Sequence, residues 1–417
     1  MFRTVGERPS IKPPARRTPG ARPQAALGID VLLLLATITL AIVGLLMVYS
    51  ASWDDSIEIY GSPGVIFSRQ VIWLVLGTIV AIVLALVDYH HWTKLAVPAI
   101  GVTVVALIAV LLISETRNGA VRTLWSGSVQ PSEAAKLVTI IYLSVWLFAK
   151  REKLSDVTFG LIPLAAILGL MGGLILLQPD LSAVATIFIL GGILFFLAGA
   201  DLRQIGFLVL VAAVIGVAIA TLTPTGSERV RDYFSGLRDP TQASYHVLRA
   251  IESFVKGSWF GVGIGKAETK LTGLPFPFTD SIFAVVGEET GVLGASALVG
   301  LYVLLLWRGM TVARQSPDEL GSLLAAGLTL WITLEAFINM SNMVNLLPFA
   351  GNALPFMSSG GSNLVVTLAA MGILINISRQ GVRVQEEGRR KFREVINLRR
   401  GNRRGRVSRT GRSTGAR

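Results

Sequence analysis

Asp280 ends a long polar loop where an apolar helix is set to begin, and Glu288 and Glu289 fall inside that helix, all within the stretch LPFPFTDSIFAVVGEETG at residues 274–291. A carboxylate at membrane depth costs about 2.5–3.5 kcal/mol on insertion scales, so each of these acids needs a partner or a task. Asp280 has two readings. As a helix N-cap it accepts backbone N–H bonds at the positive end of the dipole. As a general base it stands at the mouth of an outward cavity, with one oxygen held by the cap and the other turned to a substrate hydroxyl. Glu288 lies about 12 Å deeper at about 1.5 Å per residue and is turned by roughly 80°, whereas Gly287 stays near the Asp280 face. Gly287 and Gly291, four apart, read as a seam for close helix packing. Glu289 reads as a buried structural carboxyl; Glu288 is open between structure and site.

Further polar constellations are spread along the chain. Gln130-Pro-Ser-Glu133-Ala-Ala-Lys136 opens a helix with Pro131 in its first turn, and Glu133 and Lys136 share a face at i, i+3. They form an internal ion pair, or Lys136 reaches a phosphate oxygen from inside the bundle. Arg122, just upstream, is a second candidate cation, or an ordinary exposed loop arginine. Asp180 in Gln178-Pro-Asp180 is again cap or site. Glu335 and Asn339 read as polar glue between helices. The turn at 354–362, LPFMSSGGS, offers the amides and hydroxyls around Ser358, Gly360 and Gly361 to an anionic headgroup, or serves only as a re-entrant turn. The glycine run at 257–265 is a weak phosphate-cradle signal beside the plainer reading of a loop folded back over the bundle.

These residues must be held by a membrane bundle. Of the 417 residues 52% are hydrophobic and only 15% charged, too little charge to cover a soluble surface of this size. The expected fold is all-α and polytopic, with ten spans near 28–50, 66–87, 94–114, 131–149, 157–177, 181–199, 203–223, 281–307, 319–346 and 360–379. Residues 1–27, rich in Pro and Arg, are expected to be a disordered basic tail, and 380–417 a second basic tail. The two tails, 1–27 and 379–417, hold 20 of the 38 Lys and Arg but 4 of the 26 Asp and Glu, so the net charge of +12 is a tail property and no nucleic acid is implied. Lys150, Arg151, Lys153, Arg203, Arg308 and Arg314 share a side with both tails, which makes that side cytoplasmic. The loop at 224–280 then faces outward, with an amphipathic helix expected at 245–254 from Val247, Leu248, Ile251 and Phe254. Zero cysteines exclude disulfides and thiolate sites, and three histidines argue against a His-based metal centre. Carboxylates, cations and a Gly/Ser turn on one outward rim suit a substrate with a lipid tail, an anionic linker and a polar head. No charged ring suggests a channel, and no inverted repeat a transporter.

From its first span to its tenth the chain resembles the SEDS family of polytopic membrane proteins, which includes FtsW, RodA and SpoVE. The matching motifs are Asn118-Gly-Ala-x-Arg122, Gln130-Pro-Ser-Glu133-x-x-Lys136, Gln178-Pro-Asp180, Lys270-Leu-x-x-Leu-Pro275, Thr279-Asp-x-Ile-Phe-Ala-x-x-Gly-Glu-Glu-x-Gly291 and Leu354-Pro-Phe-x-Ser-x-Gly-Gly-Ser362. The Gly-Glu-Glu form and the basic C-terminal tail are nearer the FtsW/SpoVE branch. The resemblance implies a glycosyltransferase polymerising lipid II into β-1,4 glycan strands at the outer face of a bacterial plasma membrane. Its implied partners are a class B penicillin-binding transpeptidase and other divisome or elongasome membrane proteins. It puts the family's essential acid on Asp280. An α-linked sugar diphosphate leaves with charge neutralisation, so an inverting reaction needs one base on the acceptor 4-hydroxyl. Lys136 with Arg122, or a divalent cation (Mg or Mn), would meet the diphosphate. Glu133, Asp180 and Glu288 would shape the cavity, and Lys270, Ser358, Gly360 and Gly361 would contact substrate. The competing expectation is a lipid-II flippase or a non-catalytic scaffold. Thr123, His246, Arg249, Ala250, Glu335, Ser341 and Ser359 depart from the family pattern and put acceptor contacts at issue.

Overall fold

The computed structural model describes residues 28–113 and 130–406; the expectations for the N-terminal tail and for Arg122 fall outside them. Every regular element among the described residues is helical. Eight helices are long and apolar enough to cross a membrane. They are α1 (Val31–Tyr60), α2 (Val65–Leu86), α3 (Trp92–Ile113), α4 (Pro131–Lys150), α5 (Ile162–Leu176, continuing a π-turn from Val157), α10 (Ile282–Gln315), α11 (Glu319–Met343) and α12 (Gly361–Arg406). At the sixth and seventh expected positions stand α6 (Leu181–Leu197) and α7 (Leu202–Leu222), whose apolar stretches are shorter. Between α7 and α10 lie α8 (Pro224–Arg238) and α9 (Tyr245–Gly257).

The helix ends follow local chemistry. Asp30 caps α1 through Leu33 N at 3.0 Å, Pro131 occupies the first turn of α4, and Asp318 caps α11 through Gly321 N at 2.7 Å. α1 runs ten residues beyond its expected end near Ser50, carrying Asp54, Asp55 and Glu58. No breaker intervenes until Gly61, whose left-handed φ of 71° turns its N–H back onto Ile57 O. α11 forms the centre: its Trp331, Leu324 and Ala336 are fully buried, while α2 buries little beyond Ile66, Gln70 and Gly77. A buried Arg308–Asp30 pair ties α10 to the start of α1.

α10 is broken at Gly291, where φ is 69° and ψ −174°. The break frees the carbonyls of Glu288 and Glu289, and these accept from Val262 N and Gly263 N, each at 3.0 Å. In return Val292 N and Leu293 N donate to Ser258 O (2.9 Å) and Trp259 O (3.3 Å). The glycine run of 257–265 thus stands in for the missing helix bonds. The expected seam exists, with a different partner. Gly287 lies under the Phe254 ring, and Gly257 lies against the Gly287 carbonyl, so α9 and its following loop fill it rather than a spanning helix. The amphipathic helix also forms, but its buried face is Val247, Ala250, Ser253 and Gly257, turned onto α10. α8 has no counterpart in the sequence reading, because its fifteen residues are largely polar.

Candidate active site

Asp280 sits in a tight turn just ahead of α10. Ser281 takes the N-cap position there without a side-chain capping bond, so Asp280 lies one residue outside the cap position that one of its two readings gave it. Thr279 N and Ser281 N both donate to Phe276 O, at 3.1 and 3.2 Å. Asn339 of α11 donates to the Asp280 carbonyl at 2.9 Å. The carboxylate is partly exposed, and its Oδ2 lies 3.4 Å from where a Cβ on Gly351 would stand. The Gly/Ser turn braces this segment from the other side. Ser358 Oγ donates to Thr279 O at 2.7 Å and accepts from Leu354 N at 2.7 Å, while Ser359 N donates to Phe278 O at 2.7 Å. Gly361 has a packing reason: a Cβ there would stand 2.4 Å from the Trp73 indole, whereas Gly360 meets only Asn363 Cβ at 3.6 Å.

Of the expected cations and acids, Lys136, Glu133 and Asp180 gather at the same end of the bundle. Lys136 is 4% exposed, lies 3.0 Å from Glu133, and is also paired with Glu335 of α11. Asn363 of α12 donates to Glu133 at 2.9 Å. Asp180 caps α6 through Ala183 N at 3.2 Å and accepts from Gln130 and Ser132, each at 3.3 Å. Asn352 joins the two halves: its amide donates to Glu335 O at 2.9 Å and its carbonyl accepts from Asn339 at 2.6 Å. These bonds link Asp280 to Lys136 residue by residue, through the backbone carbonyls of Asp280, Asn352 and Glu335. Lys136 is held inside a carboxylate pair rather than pointing to open space, which is what a buried ammonium requires.

Glu288 and Lys270 are engaged elsewhere. Glu288 is fully buried and accepts from Glu268 N (2.8 Å), Thr269 N (3.2 Å) and the Thr269 hydroxyl. Lys270 pairs with Glu289 at 3.1 Å and donates to Ser50 O of α1 at 2.9 Å. Both residues pin the loop ahead of Asp280 onto α10 and α1. This fixes where the turn sits without bringing either side chain to the acid.

An apolar cavity of about 830 Å³ opens between α6 and α7. Phe188 and Ile193 line one wall, Leu208 and Ala212 the other, and Arg229 of α8 with Phe349 and Asn352 closes one end. Phe349 and Asn352 flank Gly351, beside which the Asp280 carboxylate lies, so the acid stands close to this end of the groove without lining it. Sequence reading passed over Arg229. The available signal was Thr223-Pro224, a capped helix start that places Arg229 on a short amphipathic helix. His246 of α9 stacks on Phe349 with ring centroids 4.2 Å apart. Burial, aided by the charge of Arg229, lowers its pKa from the ordinary 6.5, so the imidazole is neutral at pH 7.

The family model described as a cell cycle protein, FtsW/RodA/SpoVE, matches residues 30–382. The chain belongs to the FtsW/RodA/SpoVE family. It is 33% identical over 353 residues to a probable peptidoglycan glycosyltransferase FtsW of Trichlorobacter lovleyi, covering 84% of this chain and 93% of that one. It is 32% identical over 358 residues to the stage V sporulation protein E of Bacillus subtilis, covering 84% and 97%. Among solved structures it resembles a chain of a peptidoglycan synthase complex described for coordinating polymerization and crosslinking, with a TM-score of 0.70 at 26% identity over 85% of this chain and 99% of that one. A variant of the rod shape determining protein RodA from Thermus thermophilus gives 0.64 at 25%, over 85% and 98%.

Several of the residues expected to depart from the family pattern fall in this same region. Glu335 supplies the second carboxylate to Lys136, His246 stacks on Phe349, and Arg249 donates to the Thr272 hydroxyl at 2.9 Å. Ser359 contributes its backbone N–H to the turn that braces Asp280.

Proposed function

We propose that this protein is a peptidoglycan glycosyltransferase that polymerises lipid II at the outer face of the bacterial plasma membrane, with Asp280 as its general base. The observation that carries the reading is an apolar groove of about 830 Å³ whose end, at Phe349 and Asn352, lies beside the partly exposed Asp280. A lipid tail fits the groove while its sugar head meets the acid. In the reaction the acceptor GlcNAc 4-oxygen forms a bond to the anomeric carbon, and the bond from that carbon to the diphosphate oxygen breaks. The leaving lipid diphosphate keeps the electron pair, and the hydroxyl proton passes to the Asp280 carboxylate. Inversion at the anomeric carbon gives the β-1,4 link.

Charge on the diphosphate falls to cations at the groove end. Arg229 lines it, and Arg122 is the second candidate; Lys136 acts through the buried network that sets the floor. No cluster of three or more His, Cys, Asp or Glu among the described residues forms a metal cage. A Mg or Mn ion held at Asp280 would draw most of its other ligands from diphosphate and water. The reading includes ten crossings with both termini cytoplasmic, α6 and α7 being the short pair, and a class B penicillin-binding transpeptidase as partner.

The test is glycan synthesis from labelled lipid II by the purified protein with its transpeptidase. Wild type should give muramidase-sensitive polymer and Asp280→Ala none, at equal membrane insertion. Undiminished polymer from the variant would end the base assignment. Movement of a fluorescent lipid-II analogue across liposomes without any polymer would favour the flippase instead. Because the chain has no cysteine, Phe260→Cys and Arg151→Cys report sidedness, and only the first should react with an impermeant maleimide from outside.

A further inference from the structure

Phe276 holds a backbone that L-residues avoid, with φ at 50°. Its carbonyl takes two amides of the Asp280 turn, from Thr279 and Ser281, which fixes it there. Its ring is nevertheless 52% exposed. An exposed apolar ring on a strained backbone needs a use, and such outliers collect at ligand clamps.

The ring does not stand alone. It lies nearly parallel to His246, 6.2 Å away at 13°, and His246 lies nearly parallel to Phe349, 4.2 Å away at 19°. Phe349 approaches the same point beside Gly351 as the Asp280 carboxylate, their nearest atoms being 3.8 and 3.4 Å from it. The three rings thus run in a row from the groove end beside the acid, through His246, to the exposed ring of Phe276. Tyr245, on the same helix as His246, is 58% exposed, and its hydroxyl lies beside Gly273 at the edge of this face. Trp259 and Phe260 are also exposed, at 64% and 82%, but they enter no ring stack among the described residues. They suit the headgroup layer, and Phe276 does not share that simple explanation.

A pyranose ring has one face of C–H bonds and a rim of hydroxyls. The C–H face fits the electron-rich face of an aromatic ring, and the rim needs polar groups at the edge. We propose that the Phe276–His246–Phe349 row is a saccharide platform, with the open face of Phe276 taking an N-acetylhexosamine ring of the glycan next to the sugar that meets Asp280. The proposal rests on the polymerase reading and deepens it. Phe276 is then a positioning residue: it sets where the sugar chain lies and does not touch the reacting atoms.

The experiment measures binding of soluble, lipid-free GlcNAc–MurNAc oligosaccharides to the purified full chain by saturation-transfer NMR, alongside glycan-strand length from lipid II. Phe276→Gly fits the left-handed backbone and so keeps the turn, while Phe276→Trp keeps an aromatic face. Phe276→Gly should weaken oligosaccharide binding by about tenfold, a change that the loss of one stacked ring can supply. It should also shorten the strands, and Phe276→Trp should restore both. A donor-only platform would show the loss with lipid II and not with the free oligosaccharide, and that result would overturn the assignment to the strand. Equal oligosaccharide binding by wild type and Phe276→Gly, with wild type still polymerising, would remove the platform and leave the polymerase intact. Oligosaccharide binding lost in Phe276→Gly, with no polymer from wild type, would keep the platform and remove the polymerase. A loss of vesicle binding by Phe276→Gly with unchanged oligosaccharide binding would make the ring a headgroup anchor.

Discussion

At the scale of single residues, the lysine inside the bundle shows what its neighbours tolerate. Lys136 sits between Glu133 and Glu335, with Lys136 and Glu335 each 4% exposed. Removing the cation leaves two carboxylates buried together, which costs about 3–5 kcal/mol for a broken buried pair. Removing one acid leaves a simple pair with Glu133, whose other oxygen still accepts from Asn363 at 2.9 Å. Lys136→Met should therefore lower the thermal unfolding midpoint in detergent sharply, while Glu335→Gln should leave it nearly unchanged or raise it. A double variant carrying both changes should recover part of the loss, because only Glu133 is then unpaired. Equal losses from the two single changes would show that Glu335, rather than Glu133, is the main partner. The same arithmetic explains why Lys136 is placed under the site rather than in it. An ammonium holding two carboxylates in an apolar interior cannot be lent to a phosphate without exposing both of them.

Among the elements, the broken helix α10 positions the acid. Its break at Gly291 is filled by the backbone of the 257–265 run, and a Cβ on Gly291 would stand 2.4 Å from Gly261 N and 2.5 Å from Trp259 O. Gly291→Ala should cost about 3 kcal/mol from left-handed strain and overpacking together. Gly300→Ala, in the same helix with nothing within 4 Å, should be neutral or slightly stabilising; comparing the two unfolding midpoints isolates the break. α9 adds a pH dependence. His246 binds fewer protons folded than unfolded below its ordinary pKa of 6.5, because burial and then Arg229 of α8 disfavour its charge. Stability from its neutral form is thus present above 6.5 and lost as pH falls below it. The unfolding midpoint of wild type should drop in that window more than that of His246→Gln. Most of the spans were legible because long apolar runs announce themselves; Asp30, Asp180 and Asp318 also head apolar helices, so position alone left Asp280 between cap and base and only the family motif set it apart. The end of α1 was misplaced by ten residues, since hydropathy marks the bilayer and not the helix. α8 was missed because its fifteen residues are largely polar, and the Lys270–Glu289 and Glu288–Thr269 contacts because a folded loop leaves no periodic trace. Gly287 and Gly291 were read as a seam, which they are, but no spacing rule distinguishes a helix neighbour from a loop.

For the whole molecule, the two short apolar helices and the groove between them decide what kind of substrate can reach the acid. The walls that α6 and α7 give the groove are apolar apart from Ser182 and Thr186 of α6, and Arg229 and Asn352 add polar groups at one end, beside which Asp280 lies. That gradient orders a ligand with an apolar tail and a charged head without any contact to the tail's chemistry. It also separates two things that a substitution at the acid cannot separate, namely capture of the lipid and transfer of the sugar. Gly192 of α6 lines the groove, and a Cβ there would meet only Leu208 at an ordinary 3.7 Å, so a larger side chain grows into the groove rather than into a neighbour. Gly192→Phe should leave the unfolding midpoint close to wild type. It should raise KM for lipid II by about tenfold or more, since a ring removes most of the room for several methylenes at about 0.8 kcal/mol each. Binding of the lipid-free oligosaccharide should not change, because that ligand has no tail to exclude. If KM for lipid II is unmoved in Gly192→Phe while the protein still polymerises, the tail lies along another face of the bundle, and the Asp280 carboxylate is reached from outside rather than through the groove.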